Sequence, residues 1–375
     1  MLKNKKNSWI IFYPAGDAQV EGIIFAKSLG YKILCLDKNK KAKGKKYSDK
    51  FISINKKKEM IFFLKKIKSL NVVAVFSLFS DVGLEFVKAL KNQFKLCHNF
   101  KNYRLFENKL YLRNKIKYLS LNPNYSNLNN INEFYHYKKK FNKIVTKPAI
   151  GSASKNVFIF SDIADKKILL LKKILKNKTK VMVEEFIDGT EYTVDGLVIN
   201  KRNAKIIMIC KKERSVFNPA VARSVTAIQK DRDVVGKKLK IVATKLVRQL
   251  GIYKGPFHAE FIVNKKKIFL IDFSPRSGGA IIGSKMATAH SGFDITKNFI
   301  LLELNINRLK ISKAKLKDHR IKLYWKFFFE NQKKFFSQNK ILNDKCIIYN
   351  INKNVAKKEL SKLDDRSRDM AVLIK

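Results

Sequence analysis

The stretch GPFHAEFIVNKKKIFLIDFSPRSGG spans residues 255–279 and reads as two apolar strands, each with one acid in its middle. Glu260 lies in the first strand and Asp272 in the second. A short turn at 264–266 separates them, which predicts an antiparallel hairpin with the two carboxylates near each other on one sheet. Two acids close together on a buried sheet repel, and a divalent cation relieves the repulsion. Magnesium suits such a place, because it takes hard oxygen ligands, one or two carboxylates plus nucleotide phosphates. Ser274 and Arg276 follow at period two and point toward the same space. A guanidinium there suits bidentate capture of a phosphate or carboxylate. The competing reading is a structural ion pair between Asp272 and Arg276.

Upstream, VMVEEFIDGTEYTVDGLVI (181–199) reads as strand, turn and strand, with Glu184 and Glu185 before the turn and Glu191, Thr193 and Asp195 on one face after it. Such a connector suits a nucleotide, with backbone groups for a base and a carboxylate for ribose hydroxyls. An exposed hairpin with solvated acids is the plain alternative. Earlier still, IVTKPAIGSASKNVFIF (144–160) carries Lys147 at a strand end, then the small residues Gly151, Ser152, Ala153 and Ser154. Small residues let backbone N–H groups approach phosphate oxygens, and the lysine adds a point charge. An ordinary hairpin turn accounts for the same pattern. In NKLYLRNKI (108–116), Lys109 or Arg113 can reach a phosphate, but basic residues are everywhere in this chain.

Residues 1–100 alternate strand and helix. WIIFY (9–13), KILCL (32–36), FISI (51–54) and VVAVFSLF (72–79) read as strands. The first helix runs from about Gln19 to Leu29, and Met60, Phe63, Leu64 and Ile67 mark one face of another. Ser80 or Asp81 can cap the helix that follows the fourth strand. This order implies a parallel sheet. PAGDAQVEG (14–22) has no GxGxxG, so Asp37 at the end of the second strand does not make a dinucleotide site. Leu239, Val242, Ala243, Leu246 and Leu250 predict a helix closed by Gly251.

The chain has 375 residues, 80 of them Lys or Arg against 30 Asp or Glu, for a net charge of +50. One reading is attraction to nucleic acid. The other is compositional, since the basic residues spread along the whole chain without a tail or stripe. The basic-aromatic run KLYWKFFFENQKKFF (322–336) reads as a part-buried element. No apolar run reaches the ~18 residues that cross a bilayer. The four cysteines are scattered, which suits a reducing compartment and gives neither a disulfide framework nor a thiolate zinc site.

In this order and spacing, the Lys147 strand with its small-residue loop, VEEFIDGTEYTVDG, HAEF and IDFSPRSGG resemble the ATP-grasp superfamily. The branch is the one containing biotin carboxylase, the carbamoyl-phosphate synthetase large subunit, carboxyaminoimidazole synthetase and amino-acid ligases. GYKILCLDKNKKAKGKKYSDKFISI (30–54) looks like part of that branch's first domain. The resemblance covers residues 9–300. It implies a mixed α/β and α+β chain: a Rossmann-like pre-ATP-grasp domain (1–100), a two-lobed ATP-grasp domain (101–304) and a small C-terminal subdomain (305–375).

The activity implied is an ATP-dependent carboxylate–amine ligase, cytoplasmic, forming an acyl phosphate and releasing ADP and phosphate. Its cofactors would be ATP and Mg2+ (or Mn2+), and its partners small-molecule carboxylates and amines, with a homodimer common in such families. No membrane or nucleic-acid partner is implied. Lys109 and Lys147 would contact phosphates, and Gly151, Ser152, Ala153 and Ser154 would close over them. Glu184 and the backbone of Glu185, Phe186 and Ile187 would hold adenine, and Glu191 the ribose. Glu260 and Asp272, with Ser274, would ligate metal. Arg276 would bind the γ-phosphate or acyl phosphate, making it and Lys147 the catalytic pair, and Arg223, in NPAVARSVTA (218–227), would contact substrate. The family usually has Glu at 272 and Asn at 274. That departure keeps a catalytically inactive ATP-grasp scaffold open beside the ligase, and the net charge of +50 keeps open a basic nucleic-acid-binding protein.

Overall fold

The computed structural model describes residues 5–54, 57–81, 84–151, 154–163, 165–216, 218–265, 267–279, 281–306, 321–327, 330–339, 346–350 and 368–374. The first sheet is parallel and has the order β3-β2-β1-β4. Its strands are β1 (Trp9–Phe12), β2 (Lys32–Asp37), β3 (Lys50–Ser53) and β4 (Val72–Phe76). Buried on both faces, β1 and β2 read as continuous apolar runs, as a parallel sheet covered by helices requires. The helix Val20–Ser28 packs closely enough that a Cβ at Gly22 would lie 2.3 Å from a methyl of Leu78. Asp37 is not a ligand-facing acid: it accepts from the backbone N–H of Ala15 at 2.9 Å and of Asn39 at 2.8 Å, tying the loop after β1 to the end of β2.

The second sheet is antiparallel, order β5-β8-β6-β7, from β5 (Tyr125–Leu128), β6 (Ile144–Pro148), β7 (Phe158–Phe160) and β8 (Val181–Glu185). The third has eight antiparallel strands in the order β13-β12-β9-β10-β11-β14-β16-β15. They are β9 (Thr190–Asn200), β10 (Asn203–Arg214), β11 (Ala222–Ala227), β12 (Gly255–Asn264), β13 (Lys267–Ser274), β14 (Lys322–Phe327), β15 (Cys346–Asn350) and β16 (Arg368–Ile374). The C-terminal strands therefore extend this sheet through the β11–β14 pairing. Within the 322–336 run, Trp325, Phe327 and Phe335 are buried rather than displayed to a partner.

The helix Val234–Gln249 backs the large sheet. Asp233 caps it, accepting from Gly236 N–H at 2.8 Å, and Gly251 closes it at φ 68°. Leu239, Ala243, Leu246 and Leu250 are buried, each leucine contributing about 1.5–3 kcal/mol. One hydrophobic core joins β1, β2 and β4 to β10, β11, β14 and β16, so the N-terminal sheet and the large sheet pack as one body. The small sheet has its own core, and its residues face those of β9, β10, β12 and β13 across a cleft. Among the described residues no helix is long and apolar enough to cross a membrane.

Candidate active site

Strands β12 and β13 form the predicted hairpin, with Asn264 paired to Lys267 and Lys265 in the turn at φ 51°. From that turn an unbroken ladder would pair Glu260 with Ile271 and send Asp272 to the other face. The register instead shifts between Glu260 and Phe261, skips Ile271, and sets Glu260 opposite Asp272. This β-bulge re-aims the second carboxylate onto the face of the first. The carbonyl of Ile271 accepts from Lys147 Nζ at 3.0 Å and from an Arg113 guanidinium N–H at 3.1 Å. The neighbouring carbonyl of Leu270 accepts from Arg113 at 2.6 Å.

Those cations are placed by two other elements. Asn108 caps the helix Lys109–Lys115 by accepting from Leu110 N–H at 2.9 Å, which puts Lys109 and Arg113 one turn apart on one face. Lys147 comes from β6 and Glu184 from β8. Glu184 accepts from Arg113 Nε at 2.7 Å and from Lys147 Nζ at 2.7 Å. Burial pushes this carboxyl up, but the two cations more than offset it and hold it below the ordinary range. Both its oxygens thus bind cations already, and the side chain locks Arg113 and Lys147 in place.

Above this layer a cleft of about 900 Å³, including its open mouth, lies between the small and large sheets. Lys109, Lys147, Gly151, Ser154, Glu184, Glu185, Phe186, Ile187, Glu191, Glu260 and Asp272 all line it. Ser152 and Ala153 lie outside the described residues. Lys109 Nζ sits 2.9 and 3.0 Å from the two Asp272 oxygens and 3.3 Å from the Gly151 carbonyl. Phe186 carries Lys143 Nζ 3.9 Å and the Arg214 guanidinium 5.2 Å from its ring centre.

Three charged cleft residues escape the sequence reading: Lys155, Lys212 and Arg214. Lys212 pairs with Glu191 and, at 3.0 Å, with Glu260, while Arg214 Nε reaches Glu191 at 3.3 Å. Their strand alternates exposed and half-buried positions over 211–214. With 80 basic residues in the chain, that alternation alone singles out no lysine. His258 lies between Asp195, 3.1 Å from Nδ1, and Glu260, 3.4 Å from Nε2. Burial lowers its pKa, and the Asp195 carboxylate more than reverses this, raising it to about 9, so the ring is an imidazolium at neutral pH. Asp195 also accepts from Gly278 N–H at 2.8 Å. A Cβ at 278 would lie 2.8 Å from that carboxylate and 2.9 Å from the imidazole, so the backbone approach there requires glycine.

Arg276 does not pair with Asp272. Its Nε and a terminal nitrogen meet one oxygen of Asp81, at 3.0 and 2.9 Å, and Ser274 Oγ donates to the same oxygen at 3.1 Å. Ser274 is thus turned toward the N-terminal domain. Arg223 is placed apart from the cleft lining: it donates to Glu330 at 2.5 Å and to the Trp325 carbonyl at 3.0 Å, beside the ring of Phe335.

Two carboxylates in register on one wall of a cleft fit magnesium, with phosphate and water completing its shell. Among the described residues no group of three or more His, Cys, Asp or Glu is set to hold a metal ion.

The sequence profile of the ATP-grasp domain matches residues 141–285. Residues 141–285 are an ATP-grasp domain. The matched span runs from the start of β6 to just beyond Arg276 and leaves out the Lys109 helix. Solved structures extend the likeness in fold to nearly the whole length of the chain. The carboxyaminoimidazole ribonucleotide synthase of Aspergillus clavatus, complexed with ATP, is 14% identical with a TM-score of 0.75, covering 98% of this chain and 94% of that one. The L-amino acid ligase of Bacillus licheniformis is 16% identical with a TM-score of 0.74, covering 99% and 93%. The phosphoribosylglycinamide synthetase of Anaerococcus prevotii is 16% identical with a TM-score of 0.65, covering 98% and 93%. At these identities the likeness is one of fold. No protein of curated description matches the chain.

Proposed function

We propose that this ATP-grasp chain is an ADP-forming ligase that activates a small carboxylate with ATP and joins it to an amine. The observation that carries the reading is the bulge-set pair of Glu260 and Asp272, lining one cleft together with Lys109 and Lys147. The solved relatives, named as a synthase, a synthetase and a ligase, support it. Free cysteines throughout the described residues agree with a cytoplasmic protein.

In this reading the substrate carboxylate attacks the γ-phosphate, ADP leaves, and an amine then displaces phosphate from the acyl phosphate. Glu260 and Asp272 would hold magnesium, which draws charge from the phosphoryl oxygens when bound. Lys147, fixed by Glu184 and the Ile271 carbonyl, presents an ammonium whose position costs no reorganisation during reaction. Lys109 bridges Asp272 to the Gly151 loop, so loop closure and the cation site move together. The backbone of Glu185 to Ile187 faces the base, and Glu191 the ribose. Arg276, held by Asp81, would stabilise the charge on the transferring phosphoryl group as it passes to the substrate carboxylate.

The turn of Ser274 toward Asp81, with Asp at 272, favours a second reading, a scaffold that binds nucleotide without turnover. ADP release against pools of carboxylates and amines separates the two. The ligase releases ADP in the presence of one carboxylate–amine pair, and Glu260→Gln and Asp272→Asn lower that rate about a hundredfold or more. Equal rates in all three proteins reject the site. Tight nucleotide binding with no ADP release from any pair identifies the scaffold.

A further inference from the structure

Glu260 and Asp272 stand opposite each other on neighbouring strands, yet neither negative charge is uncompensated. Lys109 Nζ contacts both oxygens of Asp272 at 2.9 and 3.0 Å. Lys212 Nζ contacts Glu260 at 3.0 Å by reaching from β10 across β9, and it also pairs with Glu191 on the way. These are not loose surface lysines: the Lys212 side chain is 12% exposed and that of Lys109 17%. His258 Nε2 lies 3.4 Å from Glu260 as well.

We infer that Lys109 and Lys212 are resident counter-cations that close the Glu260–Asp272 site to a free divalent ion and admit the metal only together with nucleotide phosphates. A bare divalent ion must displace two ammonium groups from well-made contacts, and in a chain of net charge +50 it brings no anion to receive them. A metal–nucleotide complex brings its own phosphate oxygens, which take up the displaced ammonium groups in the same cleft. Because Lys212 also neutralises Glu191, its release exposes at once the carboxylates proposed for metal and for ribose. The inference rests on the ligase reading of this cleft and adds an order of binding to it.

The test measures Mn2+ binding in the absence of nucleotide, by the loss of the free-ion electron paramagnetic resonance signal. Lys212→Met and Lys109→Met are expected to bind Mn2+ about tenfold tighter than wild type. Lys212→Arg keeps the charge and is expected to match wild type. Lys212→Gln serves as the second neutral variant should Lys212→Met melt early. If every folded neutral variant binds Mn2+ no tighter than wild type, the inference is wrong. Glu260→Gln with Mn2+ and ADP separates the two levels. Unchanged binding in that variant removes the metal site and the functional reading together. Weakened binding there, with the lysine variants still at wild-type Mn2+ affinity, removes the counter-cation inference alone.

Discussion

Replacing Glu184 by glutamine keeps the shape of the side chain and deletes its charge. Arg113 and Lys147, almost wholly buried, then lose the carboxylate that holds both. Breaking one side of a buried charge network costs about 3–5 kcal/mol, because the remaining charges stay desolvated. Glu184→Gln is therefore expected to lower the unfolding free energy, measured by urea melts, by an amount in that range. A loss under about 1 kcal/mol, the worth of an exposed ion pair, would contradict the buried arrangement. The sequence marks Glu184 as one of two adjacent acids near a nucleotide, but it does not reveal partners 37 and 71 residues away in the chain. Asp81 is the same case. Its position after β4 suggests a helix cap, while its carboxylate meets Arg276 and Ser274, 195 and 193 residues on. Local pattern reports what a side chain can do for its own backbone, and long-range pairing is set by packing.

At the scale of elements the hairpin was the most legible part, because a short turn and two apolar runs fix which strands pair. The parallel sheet of residues 1–100 and the helix closed by Gly251 were legible for the same reason, periodicity plus a terminator. The bulge at Ile271 was not, since one extra residue leaves no mark in an apolar run. Its consequence is testable. Deleting Ile271 restores a regular ladder that still sets Asp272 opposite Glu260, and removes the carbonyl that accepts from Lys147 and Arg113. The deletion variant is expected to bind Mn2+–ADP more tightly than Asp272→Ala, with an unchanged circular dichroism spectrum. Affinity as low as that of Asp272→Ala in the deletion variant would show that the facing of the two carboxylates does not set the site. The β11–β14 pairing, which ties residues near 225 to residues near 323, likewise has no local signature, so the C-terminal strands read as a separate subdomain in sequence and as part of the large sheet in structure.

For the whole molecule, a buried cluster pins the N-terminal domain to the body behind the cleft. Lys91, from the helix Leu84–Gln93, meets Glu303 at the end of the helix Ile295–Glu303, and Lys254 reaches the same carboxylate at 3.1 Å. Asn99 donates to Glu303 at 3.1 Å. Burial raises the Glu303 carboxyl, and Lys91 and Lys254 more than offset it, holding it below its ordinary 4.5. A depressed carboxyl stabilises the fold fully above its unfolded value and loses that contribution as pH falls through the folded value. The stability gap between wild type and Glu303→Gln, from urea midpoints, is expected to stay constant above about pH 5.5 and to narrow below about 4.5. A gap that widens on acidification would contradict this role.

The position of the metal is the most direct check on the functional reading. Crystals grown with Mn2+ and a non-hydrolysable ATP analogue, measured for anomalous scattering, locate the ion without reference to any assay. A peak about 2.1–2.2 Å from carboxylate oxygens of both Glu260 and Asp272, with Lys109 and Lys212 moved off them onto phosphate, is the expected result. A peak elsewhere, or nucleotide bound with both lysines still seated on their carboxylates, would contradict it.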